Sequence, residues 1–516
     1  MTRFFKLPVF NLPLFAMCAL VCVPFLTLSG MGEVAAQQNG QSNLLTMWQS
    51  QVMVDSTRDK VVEIHLHVHD DRADSYFELK YPGFRQVIAL DDLDPSGVPF
   101  NELNRNDPVK GARDWAELSK EILEAEGKTD VTIDLVTVPR STLYALTGTG
   151  AVHAIDAETG ETRWKTRVGK PSEPTIGLAS NNTRVIAVRG FKVYCLNALD
   201  GTEIWSRAVQ FAPGGGVAVS DDFAYLTAVN GRLQLVPLND NGYPPSALVS
   251  TGAANYDPSV TANTVSWTTD RGFFNVARSN KAALRYRLET DDKVQASMCA
   301  AGDKLIANST NGIVYALHEE KGFLAWEYAV GERMNKTPIA IGDAVMLITS
   351  SNKLLGLDTK GGRILSGWPK RISGITDFVG ASQDIIYFMG TNGRLVGLSR
   401  QSGSVVSLNS IGTGIIPVAN HITDRLYVAQ ANGLVRCLRE VANVNPQIRG
   451  EGFVVGNSAA EAMMKDKAGQ EDIALPSEIK DEPKETAEPA GDPDDPFGGD
   501  PDDPFGGDPD DPFGGG

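Results

Sequence analysis

The sequence predicts an all-β chain: an eight-bladed β-propeller of four-stranded blades, with a small N-terminal α+β domain before it and a disordered acidic tail behind it. Three observations predict this. One pattern of strand, glycine turn, strand, Asp/Gly turn and strand occurs eight times. The copies are spaced by 40 or 41 residues, the period of propeller blades. Apolar residues inside a copy alternate, as in Ile313, Tyr315 and Leu317 against Val314, Ala316 and His318, which is strand periodicity and not helix periodicity.

In chain order, Arg3 and Lys6 give a positive start, an apolar run follows from about Val9 to Leu28, and Val34-Ala35-Ala36 supplies small residues. Residues 1–36 therefore read as an export signal cleaved after Ala36, which predicts a location in the periplasm or outer cell envelope. Pro13 and Pro24 interrupt the run and speak against a retained anchor. Neither Cys18 nor Cys22 follows the small residues of a lipoprotein signal.

Residues 44–138 read as a separate α+β element. Strands are expected at Val61–Val68, Tyr76–Lys80, Gln86–Leu90 and Val131–Val138. Asp107-Pro108 should start a helix whose buried face is Trp115, Leu118, Ile122 and Ala125, with Gly127 stopping it. The ring needs one strand from outside the repeats. Val131–Val138 and Phe453–Val455 are both candidates.

The propeller is assigned to residues 140–456. Its turn anchors are Gly150, Phe191, Gly231, Gly272, Gly312, Asn352, Gly393 and Gly433. Asn-Gly precedes four of these strands, at Gly231, Gly312, Gly393 and Gly433, where a hairpin needs positive φ. Fourteen residues after the anchor stand Trp164, Trp205, Tyr286 and Trp326, with Trp368 two residues late. Such a ring can bury about 150–250 Å² between neighbouring blades. The copies after Gly231, Gly393 and Gly433 lack it. Cys195 and Cys437 share the phase of Ala154 and Ala316, a small buried position.

The stretch from Ala154 through Asp156, Thr159-Gly160 and Trp164 resembles the A-x-D-x-x-T-G-x-x-x-W docking motif of quinoprotein-type (PQQ-like) propellers. Weaker copies run from Leu199-Asp200-Gly201 to Trp205 and from Lys321-Gly322 to Trp326. Both quinone-dependent alcohol dehydrogenases and outer-membrane assembly propellers of the BamB type share this repeat. The resemblance covers roughly residues 140–440 and implies the fold more than the function.

Asp156, Gly160, Trp164, Gly201, Trp205, Gly322 and Trp326, with the turn glycines Gly231, Gly312, Gly393 and Gly433, are thus expected to be blade-docking residues. No catalytic residue and no cofactor is expected. The chain has no adjacent cysteine pair of the dehydrogenase kind, and single acids such as Asp270 and Asp377 mark no calcium cluster. Gly214-Gly215-Gly216 fits a strand-entry turn better than a ligand site. His65, His67 and His69 would share one face of a strand and are weak candidates for Zn²⁺ or Cu²⁺; the polar face of a half-buried strand is the favoured reading.

After Ala460 the composition turns acidic. Eighteen acids stand against four lysines from Glu461 onward, so most of the net −17 lies in residues 460–516. The folded part is near neutral, which argues against a nucleic-acid surface. The tail ends in three Asp-Pro-Asp-Asp-Pro-Phe-Gly-Gly copies and is too poor in apolar residues to order itself. Phe497, Phe505 and Phe513 are repeated anchors that a partner protein could use. The expectation is a non-enzymatic, BamB-like binding scaffold for envelope or outer-membrane proteins, peripheral to the membrane at most. A quinone-dependent dehydrogenase and a ligand- or polymer-binding surface protein are the alternatives.

Overall fold

The computed structural model describes residues 43–449 apart from 55–56, 82–83, 91–93, 105–106, 108, 240–244 and 444–445. The leader 1–36, Phe453–Val455 and the tail from 460, with its three phenylalanines, lie outside these residues.

Eight antiparallel sheets follow one another along the chain, the number expected for eight blades. The first elements are β1 (Leu44–Gln51), β2 (Val61–Tyr81), β3 (Phe84–Ala89), α1 (Phe100–Leu103), α2 (Lys110–Ala125), β4 (Thr132–Thr147), β5 (Ala151–Asp156) and β6 (Thr162–Arg167). Sheet 1 has the order β3-β2-β4-β5-β6. Sheets 2 to 7 each take four consecutive strands, as in Thr175–Ser180, Arg184–Arg189, Lys192–Asn197 and Glu203–Ala208 of sheet 2. Sheet 8 has only three strands of its own, Ile415–Val418, Leu426–Gln430 and Leu434–Glu440, and its outer strand is β1.

β1 therefore closes the ring, in place of Val131–Val138 or Phe453–Val455. It pairs antiparallel with Leu434–Glu440, Leu44 opposite Glu440 and Gln51 opposite Leu434. The sequence hid this because β1 is far from its sheet and outside the repeat period. Its tryptophan was the available clue: Trp48 supplies the aromatic that the copy after Gly433 lacks.

The stretch 44–138 is divided between three places. β1 belongs to sheet 8. The first half of β2 pairs with Ser141–Thr147 and is the innermost strand of sheet 1. The second half of β2 pairs with Thr132–Pro139 beyond the sheet's end, beside β3, and α2 packs on it. The expected strand Val131–Val138 is thus the first half of β4, continuous with the first repeat.

The helix buries a different face from the one expected. Ala112 and Ala116 are fully buried against Phe77, Leu79 and Ile88, while Leu118 and Ile122 are 45 % and 51 % exposed. Two alanines let the helix backbone approach the sheet closely, which turns Leu118 and Ile122 outward while Trp115 stays partly buried against the same cluster. Gly127 ends the helix as expected, at φ 85°.

Each middle strand is buried on both faces, because every sheet lies between two others. Val314, Tyr315, Ala316 and Leu317 are all buried, so their alternation separates two neighbours and not core from solvent. Eight apolar clusters fill the eight seams; that between sheets 8 and 1 joins Val435 and Cys437 to Leu143 and Ile155. At the turns, Gly150, Gly231, Gly312, Gly393 and Gly433 have positive φ, and Asn352 takes φ 59°. Sheet 2 differs: Gly190 holds the positive φ, and Phe191 is exposed. Gly214–Gly216 lie inside the inner strand Pro213–Val219 and not in an entry turn. A Cβ on Gly215 would meet the backbone of Tyr256 at 2.5 Å, so the run permits close packing of inner strands.

Candidate interaction face

The blade turns locate the expected docking residues. Asp156 Oδ1 accepts the backbone N–H groups of Glu158 and Thr159, both at 2.9 Å, and Oδ2 binds Arg163. Gly160 closes this turn at φ 80° and donates to Asp156 O. The Trp48 ring of sheet 8 lies over Gly160, where a Cβ would collide with it, and Trp48 Nε1 donates to Ala157 O at 3.0 Å.

The same arrangement recurs one seam on. Trp164 covers Gly201 and donates to Ala198 O at 3.0 Å; Trp326 covers Gly362 and donates to Thr359 O at 2.9 Å. Trp368 covers Gly403 and donates to Arg400 O at 2.8 Å. Tyr286 covers Gly322, its hydroxyl donating to Glu319 O at 3.0 Å. Trp205 donates to Leu238 O at 3.0 Å. Sequence reasoning named Gly160, Gly201 and Gly322 but missed Gly362 and Gly403, although both stand in phase with them. Gly201→Ala is expected to destabilise the protein by about 1–3 kcal/mol through overpacking against Trp164, read by denaturant unfolding; wild-type stability would refute the close fit.

These turns define one face of the ring. On it β2 leaves sheet 1 beside Ser141, whose carbonyl accepts the Ala157 N–H of the Asp156 turn. The β2–β3–β4 extension with α2 therefore projects from this face. β1 enters at the same face, where Val441 N–H donates to Asn43 O at 2.9 Å. The segment 446–449 crosses it too: Gln447 and Asp424 exchange hydrogen bonds, and Arg449 donates to the carbonyls of Ala381, Asn420 and His421.

Two concavities open here. A cleft of about 490 Å³ lies on the projecting element, lined by the apolar Pro95, Phe100, Leu103, Trp115 and Leu118 together with Asp94, Asn104, Lys110 and Asp114. A polar crevice of about 330 Å³ lies over sheets 2 to 4, lined by Asn181, Ser220, Asp221, Asp222, Thr261 and Ser279 among others.

The histidines stand where β2 passes from the ring into the projection. His67 and His69 are edge to face, ring centroids 4.6 Å apart. His67 Nε2 lies 3.1 Å from Asn182 Oδ1, and Asn182 in turn donates to Asp70. Burial lowers His65 to about 4, which keeps it neutral. Among the described residues no group of three or more His, Cys, Asp or Glu is arranged to hold a metal ion. Burial, and secondarily the Asp257 carboxylate, raises Glu63 on the same inner strand to about 7.

Other reactive residue types have structural partners. Asp270 accepts the Ala253 N–H at 2.7 Å, and Asp377 pairs with Lys336 at 3.0 Å. Burial pushes the Cys195 thiol up to about 11 and that of Cys437 well above its ordinary value. At the closing seam, Arg425 is fully buried and reaches Glu158 Oε2 at 3.3 Å and Asp424 Oδ1 at 3.5 Å. No helix among the described residues is long and apolar enough to cross a membrane.

The model of the family described as outer membrane protein assembly factor BamB matches residues 101–190 and 172–409. The outer membrane protein assembly factor BamB of Yersinia pestis is 27 % identical over 287 residues, 51 % of this chain and 62 % of that protein. The protein of the same name from Burkholderia pseudomallei is 25 % identical over 284 residues, 53 % of this chain and 61 % of that protein. The chain thus spans less than two thirds of these relatives. The crystal structure of BamB from Moraxella catarrhalis aligns with TM-score 0.49 at 16 % identity, over 59 % of this chain and 93 % of that one. With the matched segments spanning well over half of the chain, the protein belongs to the family of the outer membrane protein assembly factor BamB.

Proposed function

We propose that the protein is a non-catalytic binding propeller of the cell envelope that assists the assembly of outer-membrane proteins. One observation carries this reading: the ring holds a projecting element, with its own small core and a cleft of mixed apolar and charged lining, on a single face. A rigid scaffold that displays a partly apolar concave site beside polar loops is suited to holding a protein partner. The names of the relatives point the same way. Cys195 and Cys437 are buried, Asp270 and Asp377 have hydrogen-bond or ion-pair partners, and His67 meets Asn182. The tail phenylalanines Phe497, Phe505 and Phe513 would add a second, multivalent contact.

The test is capture from envelope extracts with the whole protein and with the double variant Leu118→Asp, Ile122→Asp. Both side chains are exposed, so the variant should fold. Wild type is expected to enrich outer-membrane assembly proteins, and the variant to lose them at least tenfold. Equal capture by both, or enrichment of polysaccharide alone, would end the proposal.

A further inference from the structure

The turns between the second and third strands lie at the far end of the strands from the Asp156-type turns. They build the face opposite the projecting element. Most of these turns are polar or small. Where sheet 2 has Phe191, every other sheet has glycine or asparagine; where sheet 3 has Val229, no other sheet has a large apolar residue. Phe191 is 65 % exposed, Val229 49 %, and Val249, just past the outer strand of sheet 3, 64 %. Gly190 supplies the positive φ of its turn, so the turn does not need a phenylalanine beside it.

These side chains belong to one surface. In the link from sheet 2 to sheet 3, Val209 N–H donates to Phe191 O at 2.9 Å and Ala212 O accepts the Val229 N–H at 3.1 Å. Between them the Arg232 guanidinium lies 4.4 Å from the Phe211 ring centre. Arg271 of sheet 4 packs beside Gly252, three residues after Val249. Arg167, Lys170, Lys192 and Arg271 are exposed around the rim. The carboxylates at this end are tied to backbone N–H groups. Glu173 accepts that of Lys170 at 3.0 Å, Asp257 that of Gly216 at 2.7 Å, and Asp270 that of Ala253 at 2.7 Å. The longer lysine and arginine stems can carry their charge further out.

We propose that this end of sheets 2 and 3 docks onto a lipid bilayer bearing anionic headgroups. Phe191 and Val249 enter the boundary between headgroups and acyl chains, and Lys170, Lys192 and Arg271 meet the phosphates. Hairpin tips project, which suits insertion into an interface. A protein partner's side chain would call for a concavity, and the two concavities described above lie on the other face. The tips are held by sheet hydrogen bonds, so docking orders little chain. The acidic tail opposes an anionic surface at long range. At physiological ionic strength charges are screened over about 8 Å, so the rim beside the bilayer decides. The cleft of the projecting element stands on the opposite face, so the two contacts are independent.

Flotation of the full chain with vesicles of phosphatidylethanolamine and phosphatidylglycerol, against vesicles of phosphatidylcholine, tests it. A chain that keeps its apolar leader would reach neutral vesicles as well, so the quantity read is the excess binding to the anionic ones. That excess is expected at physiological salt and should fall severalfold at high salt. Phe191→Asp with Val249→Asp should reduce it at least tenfold. Lys192→Glu with Arg271→Glu should do the same, each lost cation weakening binding about fivefold. All four side chains are exposed, so these variants should fold, which their unfolding curves check. Arg394→Glu, on the same face but in sheet 7, and Leu118→Asp with Ile122→Asp, on the other face, should bind as wild type. No excess on anionic vesicles, or patch variants that bind as wild type, would overturn the inference. So would capture of an acidic protein by the patch without any vesicle binding.

Discussion

Replacing Trp48 with alanine is expected to lower the stability of the ring by about 3 kcal/mol, within the range for truncating a large aromatic. Trp48 packs over Gly160, donates to Ala157 O, and lies 6.3 Å from the Tyr427 ring, so one substitution weakens sheet 8 and the closing seam together. Deleting residues 43–52 should be far more severe. It strips the outer partner from Leu434–Glu440 and uncovers Val435 and Cys437, both fully buried. An unprotected apolar edge then invites pairing between chains. Denaturant titration and size-exclusion chromatography check both effects. A monomeric deletion variant with wild-type unfolding would show that another segment closes the ring.

The second large effect is expected at Arg425. Its guanidinium is buried between Glu158 and Asp424 and also donates to Asn443 O at 3.1 Å. Arg425→Met leaves the buried Asp424 and the half-buried Glu158 without their cation and should cost about 3–5 kcal/mol at pH 8. Desolvation raises Glu158 to about 7 even beside Arg425, with Asp156 and Asp424 adding to the rise. An acid whose folded pKa exceeds its unfolded value binds its proton more tightly when folded. Its contribution is therefore most favourable below the ordinary glutamate value of 4.5 and is lost as pH rises through about 7. The penalty of Arg425→Met should accordingly shrink between pH 8 and pH 5, as the carboxylate left behind takes up its proton. Glu158→Gln should flatten the pH dependence in that window and be mild, because Arg425 retains Asp424. Unfolding curves at pH 5, 6.5 and 8 decide the matter. A penalty for Arg425→Met that grows as pH falls would contradict this assignment.

Much of the blade was legible in the residues. Gly312 and Gly433 had to be turn residues because positive φ excludes most side chains, and both are (φ 89° and 93°). Trp164 and Trp326 were legible as seam residues from their phase, but their acceptors, Ala198 and Thr359, were not, since a backbone carbonyl has no sequence signature. The histidine face was readable from alternation along β2. That His67 spends Nε2 on Asn182 of another sheet was not. The helix shows the same limit: Leu118 and Ile122 outrank Ala112 and Ala116 in hydrophobicity, but close packing chose the alanines.

The repeat, its period, its turn glycines and the rings between blades could all be read along the chain, because each follows from local backbone sterics or from spacing. What the assembled fold alone settles is that β1 closes the ring and that β1 and the 446–449 strap lie on the face from which the projecting element leaves. Those features join residues up to several hundred positions apart, and what selects them is shape and hydrogen-bond fit between surfaces that do not exist until the sheets have formed.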